Sequence, residues 1–156
     1  MTPTDRQVVG DGPPGDSQAE RRHRTLAELQ RTVRHHPAVE VATGARGDEG
    51  RFRELEVTFD PLILGVDADH AALRIDWRPR PDTAEPSYFV FHYYDSAGRD
   101  FGWHREPNPH VDGLEHFQER NPPRREYVYE STSFDSDSPV GLCWDILGRI
   151  EETVSE

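Results

Sequence analysis

The strongest structural signal in this chain is the stretch Tyr88-Phe-Val-Phe-His-Tyr-Tyr-Asp-Ser-Ala-Gly-Arg-Asp-Phe-Gly-Trp103. Residues 88–94 are apolar on both alternating faces, which predicts the central strand of a sheet, covered on each side. Residues 95–98 have the composition of a tight turn, so residues 99–103 should return as the second strand of a β-hairpin. The sequence therefore predicts an antiparallel sheet built around this hairpin.

Other parts of the chain show the two-residue period of half-buried strands. Apolar and polar side chains alternate over residues 54–59 and again over residues 73–78, which predicts two further strands. Residues 39–41 and 126–130 give shorter patterns of the same kind. The connections rich in turn-forming residues are 43–50 and 79–86.

A first helix is predicted over residues 18–34. Ser17 is a suitable N-cap, and the apolar residues Leu26, Leu29 and Val33 recur at spacings of three and four. The opposite face is basic and should be solvated, with phosphate binding as the alternative. Its arginines are Arg21, Arg22, Arg24, Arg31 and Arg34.

A second helix is predicted to close the chain. Ser138 supplies an N-cap, Pro139 suits the first helical position, and Cys143 and Trp144 belong to the apolar face. The expected fold class is α+β, an antiparallel sheet of about five to six strands with an N-terminal and a C-terminal helix packed on it. We expect residues 1–16 to form a disordered acidic tail and residues 17–156 to form a single α+β domain.

The composition is acidic and lacks lysine. The 156 residues carry a formal net charge of −12, and all 18 basic residues are arginine. Such a balance is expected in a cytosol at molar salt, where a Debye length of about 3 Å screens self-repulsion, and it argues against a surface that coats nucleic acid. The lone Cys143 fits a reducing compartment. No stretch approaches the ~20 apolar residues of a membrane span or reads as a secretory signal, so we expect a halophilic cytoplasmic protein with no membrane partner.

The candidate functional site is the loop-like window of residues 101–120. It holds three of the eight histidines and two arginines, namely His104, His110, His116, Arg105 and Arg120. Histidine titrates near neutrality. One histidine could therefore act as general base towards a 2′-hydroxyl while another protonates the leaving oxygen and an arginine stabilises the phosphorane. Tyr127 and Tyr129 are candidate supporting groups.

Two other interpretations of this window stay open. Imidazole and carboxylate groups bind metals, so a metal held by His104, His110 and His116, with Glu106 or Asp112 as an additional ligand, is the less favoured alternative. Otherwise we expect no cofactor. The histidines could also simply hold a proline-rich loop in place through hydrogen bonds. The chain contains no Walker loop, Rossmann glycine pattern, nucleophile elbow or paired CxxC, which removes nucleotide-dependent and zinc-ribbon functions.

The run of residues 88–103, followed by Pro109-His110 and later by His116, resembles the TumE-type toxin family in a haloarchaeal-like version. The likeness covers roughly residues 70–150, and the family also closes with a helix. Its members are the effector half of two-gene toxin–antitoxin modules, so the resemblance implies a helix-turn-helix antitoxin-like partner. The family's loop is richer in adjacent histidines than the loop of this chain.

Together these patterns favour a toxin-like effector that acts on RNA through its His/Arg-rich loop. If it is an enzyme, it should be ribonuclease-like, with His110 and His116 transferring protons and Arg105 and Arg120 holding phosphate. The rival hypothesis is a non-catalytic protein-binding module of a halophilic cytosol, in which the loop docks a partner protein.

Overall fold

The computed structural model describes residues 17–47 and 49–156, which form one antiparallel sheet of seven strands and three helices. In chain order the elements are α1 (Gln18–Val33), β1 (Val39–Arg46), β2 (Phe52–Phe59), α2 (Pro61–Leu64), β3 (Ala71–Arg78), β4 (Tyr88–Asp95), β5 (Asp100–Arg105), β6 (Glu115–Glu119), β7 (Val128–Ser131) and α3 (Pro139–Val154). Each strand pairs with its neighbour in sequence, so the sheet is a meander with β4 at its centre. The α+β class, an antiparallel sheet with an N-terminal and a C-terminal helix, is confirmed.

The sheet has one strand more than the sequence pattern suggested, and that strand lies inside the predicted loop. Residues 115–119 form β6 and pair with β5, so only residues 106–114 connect the two strands. The first strand is also longer than expected. It continues to Arg46 because residues 43–46 pair with β2 instead of forming a turn.

The hydrophobic core lies on one face of the sheet, between the strands and the two long helices. Alternate strand positions such as Leu73, Ile75, Phe91 and Phe101 are fully buried there and belong to one cluster with the apolar residues of α1 and α3. Burial of each such side chain contributes about 1.5–3 kcal/mol. This face therefore supplies most of the stability and fixes which side of each strand faces inward.

Both long helices begin at the N-cap residues predicted from the sequence, but the prediction that Trp144 lies on the apolar face of α3 was wrong. Ser17 and Ser138 cap α1 and α3, each accepting a hydrogen bond from the backbone N–H three residues later. Cys143 is fully buried, as expected. Trp144 is 42 % exposed because successive helical residues point about 100° apart, and it lies beside the buried face and not on it.

The arginines of α1 hold the helix to the rest of the protein. Arg21 and Arg34 donate to backbone carbonyls at 2.9 and 3.0 Å, and Arg22 forms an ion pair with Asp76 on β3. Three of the five arginines of the predicted basic face therefore already have protein acceptors, which favours a structural role over phosphate binding.

Two expectations concern the chain as a whole. The predicted disordered tail at residues 1–16 lies outside the described residues. Across residues 17–47 and 49–156, every helix is too short or too polar to cross a membrane.

Candidate functional site

The sheet face that points away from the core carries three histidines on three consecutive strands. His92 lies on β4, His104 on β5 and His116 on β6. His104 and His116 are direct cross-strand partners, whereas His92 is opposite Gly102 and therefore diagonal to His104. The ring centroids are 5.4 Å apart for His92 and His104 and 5.3 Å apart for His104 and His116. We call these three residues the histidine row.

Two members of the row connect two carboxylates. His92 contacts the Oδ1 atom of Asp100 through Nε2. Its Nδ1 atom lies 3.1 Å from Nε2 of His104, and Nδ1 of His104 lies 2.8 Å from Oε2 of Glu106. We call Asp100, His92, His104 and Glu106, in this order, the histidine–carboxylate chain. Burial lowers the pKa of His92, although the hydrogen bond with Asp100 opposes that shift.

His116 is the most deeply buried member of the row, with no exposed surface. Its Nδ1 atom lies 3.2 Å from the carbonyl oxygen of Leu114, and its Nε2 atom lies 3.2 Å from Oε1 of Gln118. The amide of Asn108 is 3.5 Å from the same Nε2 atom. Burial, followed by the proximity of His104, lowers the pKa of His116, so this imidazole is neutral at pH 7.

Gly102 makes room for the row. A Cβ atom at this position would lie 2.5 Å from the carbonyl oxygen of Phe91 and 2.6 Å from Nδ1 of His92. Contacts this short do not occur without a shift of the neighbouring backbone. The glycine in the middle of β5 is therefore required by the close approach of the His92 ring.

Asp100 joins the row to the edge of the sheet. Its Oδ1 atom accepts a hydrogen bond of 2.8 Å from the hydroxyl of Tyr127, and its Oδ2 atom accepts two from the guanidinium of Arg120, at 2.6 and 3.2 Å. Burial raises the pKa of Asp100, but the hydrogen bonds to its three partners outweigh burial and the pKa lies below its usual value. The carboxylate is therefore ionised at neutral pH.

Glu106 is the second ionised end of the histidine–carboxylate chain. The hydrogen bond from His104, which outweighs the opposing effect of burial, and a second one from Arg78 lower its pKa to about 2. Arg78 donates to Oε1 at 2.6 Å, while Oε2 faces His104. The guanidinium therefore fixes the carboxylate so that one oxygen stays directed at the row.

The exposed rim of the row is aromatic and basic. The ring of His110 stacks on Tyr129 at 4.7 Å with an interplanar angle of 8°, and the guanidinium of Arg120 lies 4.6 Å above the ring of Tyr127. Tyr127 and Tyr129 are neighbours, with ring centroids 6.2 Å apart. We call His110, Arg120, Tyr127 and Tyr129 the aromatic rim. Flat rings beside a cation form a surface suited to stacked bases and phosphate.

The five predicted site residues separate into three environments. His104 and His116 lie side by side in the buried row, and His110 and Arg120 belong to the exposed rim. Arg105 is on the opposite face of the sheet, only 4 % exposed, where it binds Glu115 at 2.6 and 2.9 Å. Because that guanidinium is buried and paired, the structure separates it from the other four residues.

Sequence reasoning missed the parts that β4 and β5 contribute. The candidate site named from the sequence contained neither His92 on β4 nor Asp100 on β5, and it also lacked Gln118 on β6. Within residues 100–104 the apolar residues Phe101 and Trp103 alternate with Asp100, Gly102 and His104, and this alternation was an available signal. It would have placed Asp100 and His104 on one polar face.

The row also contains a candidate metal centre. One nitrogen of His104, one nitrogen of His116 and one carboxylate oxygen of Glu106 all lie within 4.8 Å of one another. This is the one such group of at least three potential ligands found among residues 17–47 and 49–156. The set suggested by the sequence included His104, His116 and Glu106, but it also contained His110, which instead stacks on Tyr129.

No protein-family model, curated protein or solved structure matches this chain. The resemblance to the TumE-type family therefore rests on the sequence pattern, and the case for a function rests on the geometry of the histidine row and its rim.

Proposed function

We propose that the protein is a cytoplasmic toxin-like effector that acts on RNA at the aromatic rim, with a helix-turn-helix antitoxin-like protein as its partner. The observation that carries this proposal is the joining of the exposed rim to the buried row through Asp100, which contacts Arg120, Tyr127 and His92. The resemblance in sequence supports a role in a toxin–antitoxin module, and the rim provides the aromatic, basic and histidine side chains that would contact RNA.

RNA contact is proposed for the rim because it combines stacking with positive charge. Tyr127 and Tyr129 are partly exposed, the Arg120 side chain is 41 % exposed, and Arg124 and Arg125 nearby are exposed. Base–aromatic stacking is worth about 1–3 kcal/mol per base. With a net charge of −12, the protein repels RNA overall, so contact should be restricted to this local surface.

The proposed reaction is cleavage by the neighbouring 2′-hydroxyl. His110 takes the proton of that hydroxyl as its oxygen bonds to phosphorus, the bond from phosphorus to O5′ breaks, and O5′ is protonated by water. Arg120 stabilises the charge of the phosphorane. Of the five predicted site residues, this assignment retains His110 and Arg120. It gives His104 and His116 a supporting role because both are buried, and it leaves out Arg105.

The test is induction of the gene in its native host, with growth and RNA integrity as readouts. His110→Ala and Arg120→Ala should relieve growth inhibition and RNA cleavage, by as much as the 10²–10⁴-fold typical of a proton-transferring group for His110. His70→Ala is the matched control, since His70 is also an exposed histidine but lies outside the rim. An inhibitory effect equal in all variants, or a harmless parent, would contradict the proposal.

The burial of His104 and His116, at 5 % and 0 % exposure, leaves His110 without a second histidine to protonate the leaving oxygen, and this favours a second candidate function. If the row cannot reach a substrate, the rim is a non-catalytic docking surface for a partner protein. In that case RNA should stay intact with the parent and with His110→Ala alike. Arg120→Ala should abolish capture of the co-expressed antitoxin-like protein. Cleavage of RNA by the purified parent, lost in His110→Ala, would exclude this alternative.

A further inference from the structure

We propose that His104, Glu106 and His116 bind one divalent first-row transition-metal ion. This site goes beyond the proposed action on RNA and does not rest on it, because the claim concerns binding of the ion alone. Three observations support it: the contact between His104 and Glu106 at the end of the histidine–carboxylate chain, the partners of the other nitrogens of both histidines, and the proximity of the three ligand atoms.

The histidine–carboxylate chain ends in an acceptor on each side of its two imidazoles. It contains three contacts at hydrogen-bond distance, one between each pair of neighbours. Its end groups are carboxylates, which accept when ionised, and an imidazole in its neutral form supplies one N–H. With both imidazoles in the neutral form, the third contact is completed by a cation, either a proton or a metal ion.

An ion would lie at the contact between His104 and Glu106. His92 contacts Asp100 through Nε2, so its Nδ1 atom faces His104, and Nε2 of His104 lies 3.1 Å from it. The remaining nitrogen of His104, Nδ1, lies 2.8 Å from Oε2 of Glu106. These two atoms share a hydrogen bond in this structure, and a bound ion would take the place of its proton.

His116 presents a second imidazole nitrogen beside this contact. When its Nδ1–H donates to the carbonyl of Leu114 at 3.2 Å, Nε2 carries the lone pair, which faces the Asn108 amide at 3.5 Å and Oε1 of Gln118 at 3.2 Å. Metal-bound histidines usually donate their other N–H to a carboxylate or a backbone carbonyl. His116 has a backbone carbonyl in this position, and His104 reaches the carboxylate of Asp100 through His92. A metal ion bound by His104 and Glu106 would take the Nε2 lone pair of His116 as a third ligand, in place of its contact with the Asn108 amide.

The geometry and the donor set indicate the class of ion. The three ligand atoms lie within 4.8 Å of one another, and movements of about 1 Å would bring them to the 2.0–2.2 Å distances of zinc. Two imidazoles and one carboxylate form the set of open zinc or iron(II) sites, which keep a position for water or substrate. Arg78 holds the other oxygen of Glu106 at 2.6 Å and so keeps Oε2 available.

The test is a titration of the full chain with Zn²⁺ in competition with a chromophoric chelator, in the absence of RNA. The parent should bind one ion per chain, and Glu106→Gln should weaken the binding at least 100-fold. The matched control is Glu151→Gln, since Glu151 contacts another buried histidine, His36, at 3.2 Å and lies outside the site. Its affinity should equal that of the parent.

Co²⁺ gives a second readout that distinguishes this site from exposed histidines. The visible absorption of low-coordinate Co²⁺ should appear in the parent and in Glu151→Gln and be absent from Glu106→Gln. His116→Gln decides by the same two measurements if Glu106→Gln does not fold. The absence of one-to-one binding in the parent, or unchanged affinity in both variants, would overturn the proposal. Because RNA is absent, neither result depends on whether the protein acts on RNA.

Discussion

Replacement of Gly102 by alanine should destabilise the protein, although it adds only one methyl group. The added Cβ would meet the Phe91 carbonyl oxygen at 2.5 Å, Nδ1 of His92 at 2.6 Å and its Cα at 2.8 Å. Two of these atoms are backbone of the paired strand, so relief requires β4 and β5 to separate locally. Such overpacking costs about 1–3 kcal/mol. If His92 also leaves Asp100, a charge-assisted hydrogen bond worth about 1.5–3 kcal/mol is lost in addition.

Gly148→Ala is a matched control for this substitution. Gly148 lies inside α3, and a Cβ at that position has nothing within 4 Å. The same chemical change should therefore stabilise the protein by about 1 kcal/mol, because alanine favours the helix more than glycine does. The two glycines should respond with opposite signs.

The assay is reversible unfolding in denaturant at fixed salt, with both variants compared with the parent at constant m-value. We expect the free energy of unfolding of Gly102→Ala to fall by about 1–3 kcal/mol, or by about 2.5–6 kcal/mol if His92 also leaves Asp100. The free energy of unfolding of Gly148→Ala should rise. A Gly102→Ala variant as stable as the parent would refute the reasoning, since it would show that β5 does not approach His92 as closely as the structure places it.

Three further predictions concern charge and the last helix. Because a net charge of −12 is screened only at high ionic strength, the thermal midpoint should rise between dilute buffer and molar KCl, and a flat midpoint would contradict the halophilic interpretation. Burial raises the pKa of Cys143 to about 12, so labelling of the native protein at pH 8 should be slow, and rapid labelling without unfolding would show that the helix face opens. Leu142→Ala should lower the free energy of unfolding by about 2–5 kcal/mol, and Trp144→Ala should lower it by less, because Leu142 is fully buried and Trp144 is 42 % exposed. Equal losses in the two variants would show that Trp144 packs in the core.

The helices and the central hairpin were predictable because local physics determines them. Ser17 and Ser138 cap helices with regular apolar faces, and residues 88–103 combine an apolar strand with a short turn. The strand β6 was not predictable in the same way. Its five residues, Glu115–Glu119, are mostly charged or polar. The strand is stabilised by pairing with β5 and β7 and by the packing of Phe117 against the core.

The candidate site was only half predictable for a related reason. The clustering of His104 and His116 in sequence drew attention to the right region, but spacing alone favoured a loop and could not separate the faces of the sheet. Arg105 is adjacent to His104 in sequence and lies on the opposite face, since successive strand residues alternate. His92 is twelve residues from His104, and only the register of the hairpin brings their rings together.

The same packing that stabilises the core therefore assembles the histidine row. Phe101 and Trp103 must face the core to be buried, which directs Gly102 and His104 to the other side of β5. Phe117 packs against the same core, and this directs His116 towards His104. A slip of one residue between β5 and β6 would expose Phe117 and turn His116 to the helix face. The burial of the aromatic side chains thus excludes a one-residue slip and keeps His104 and His116 on the same face of the sheet, so the position of the site is a consequence of the fold's main source of stability.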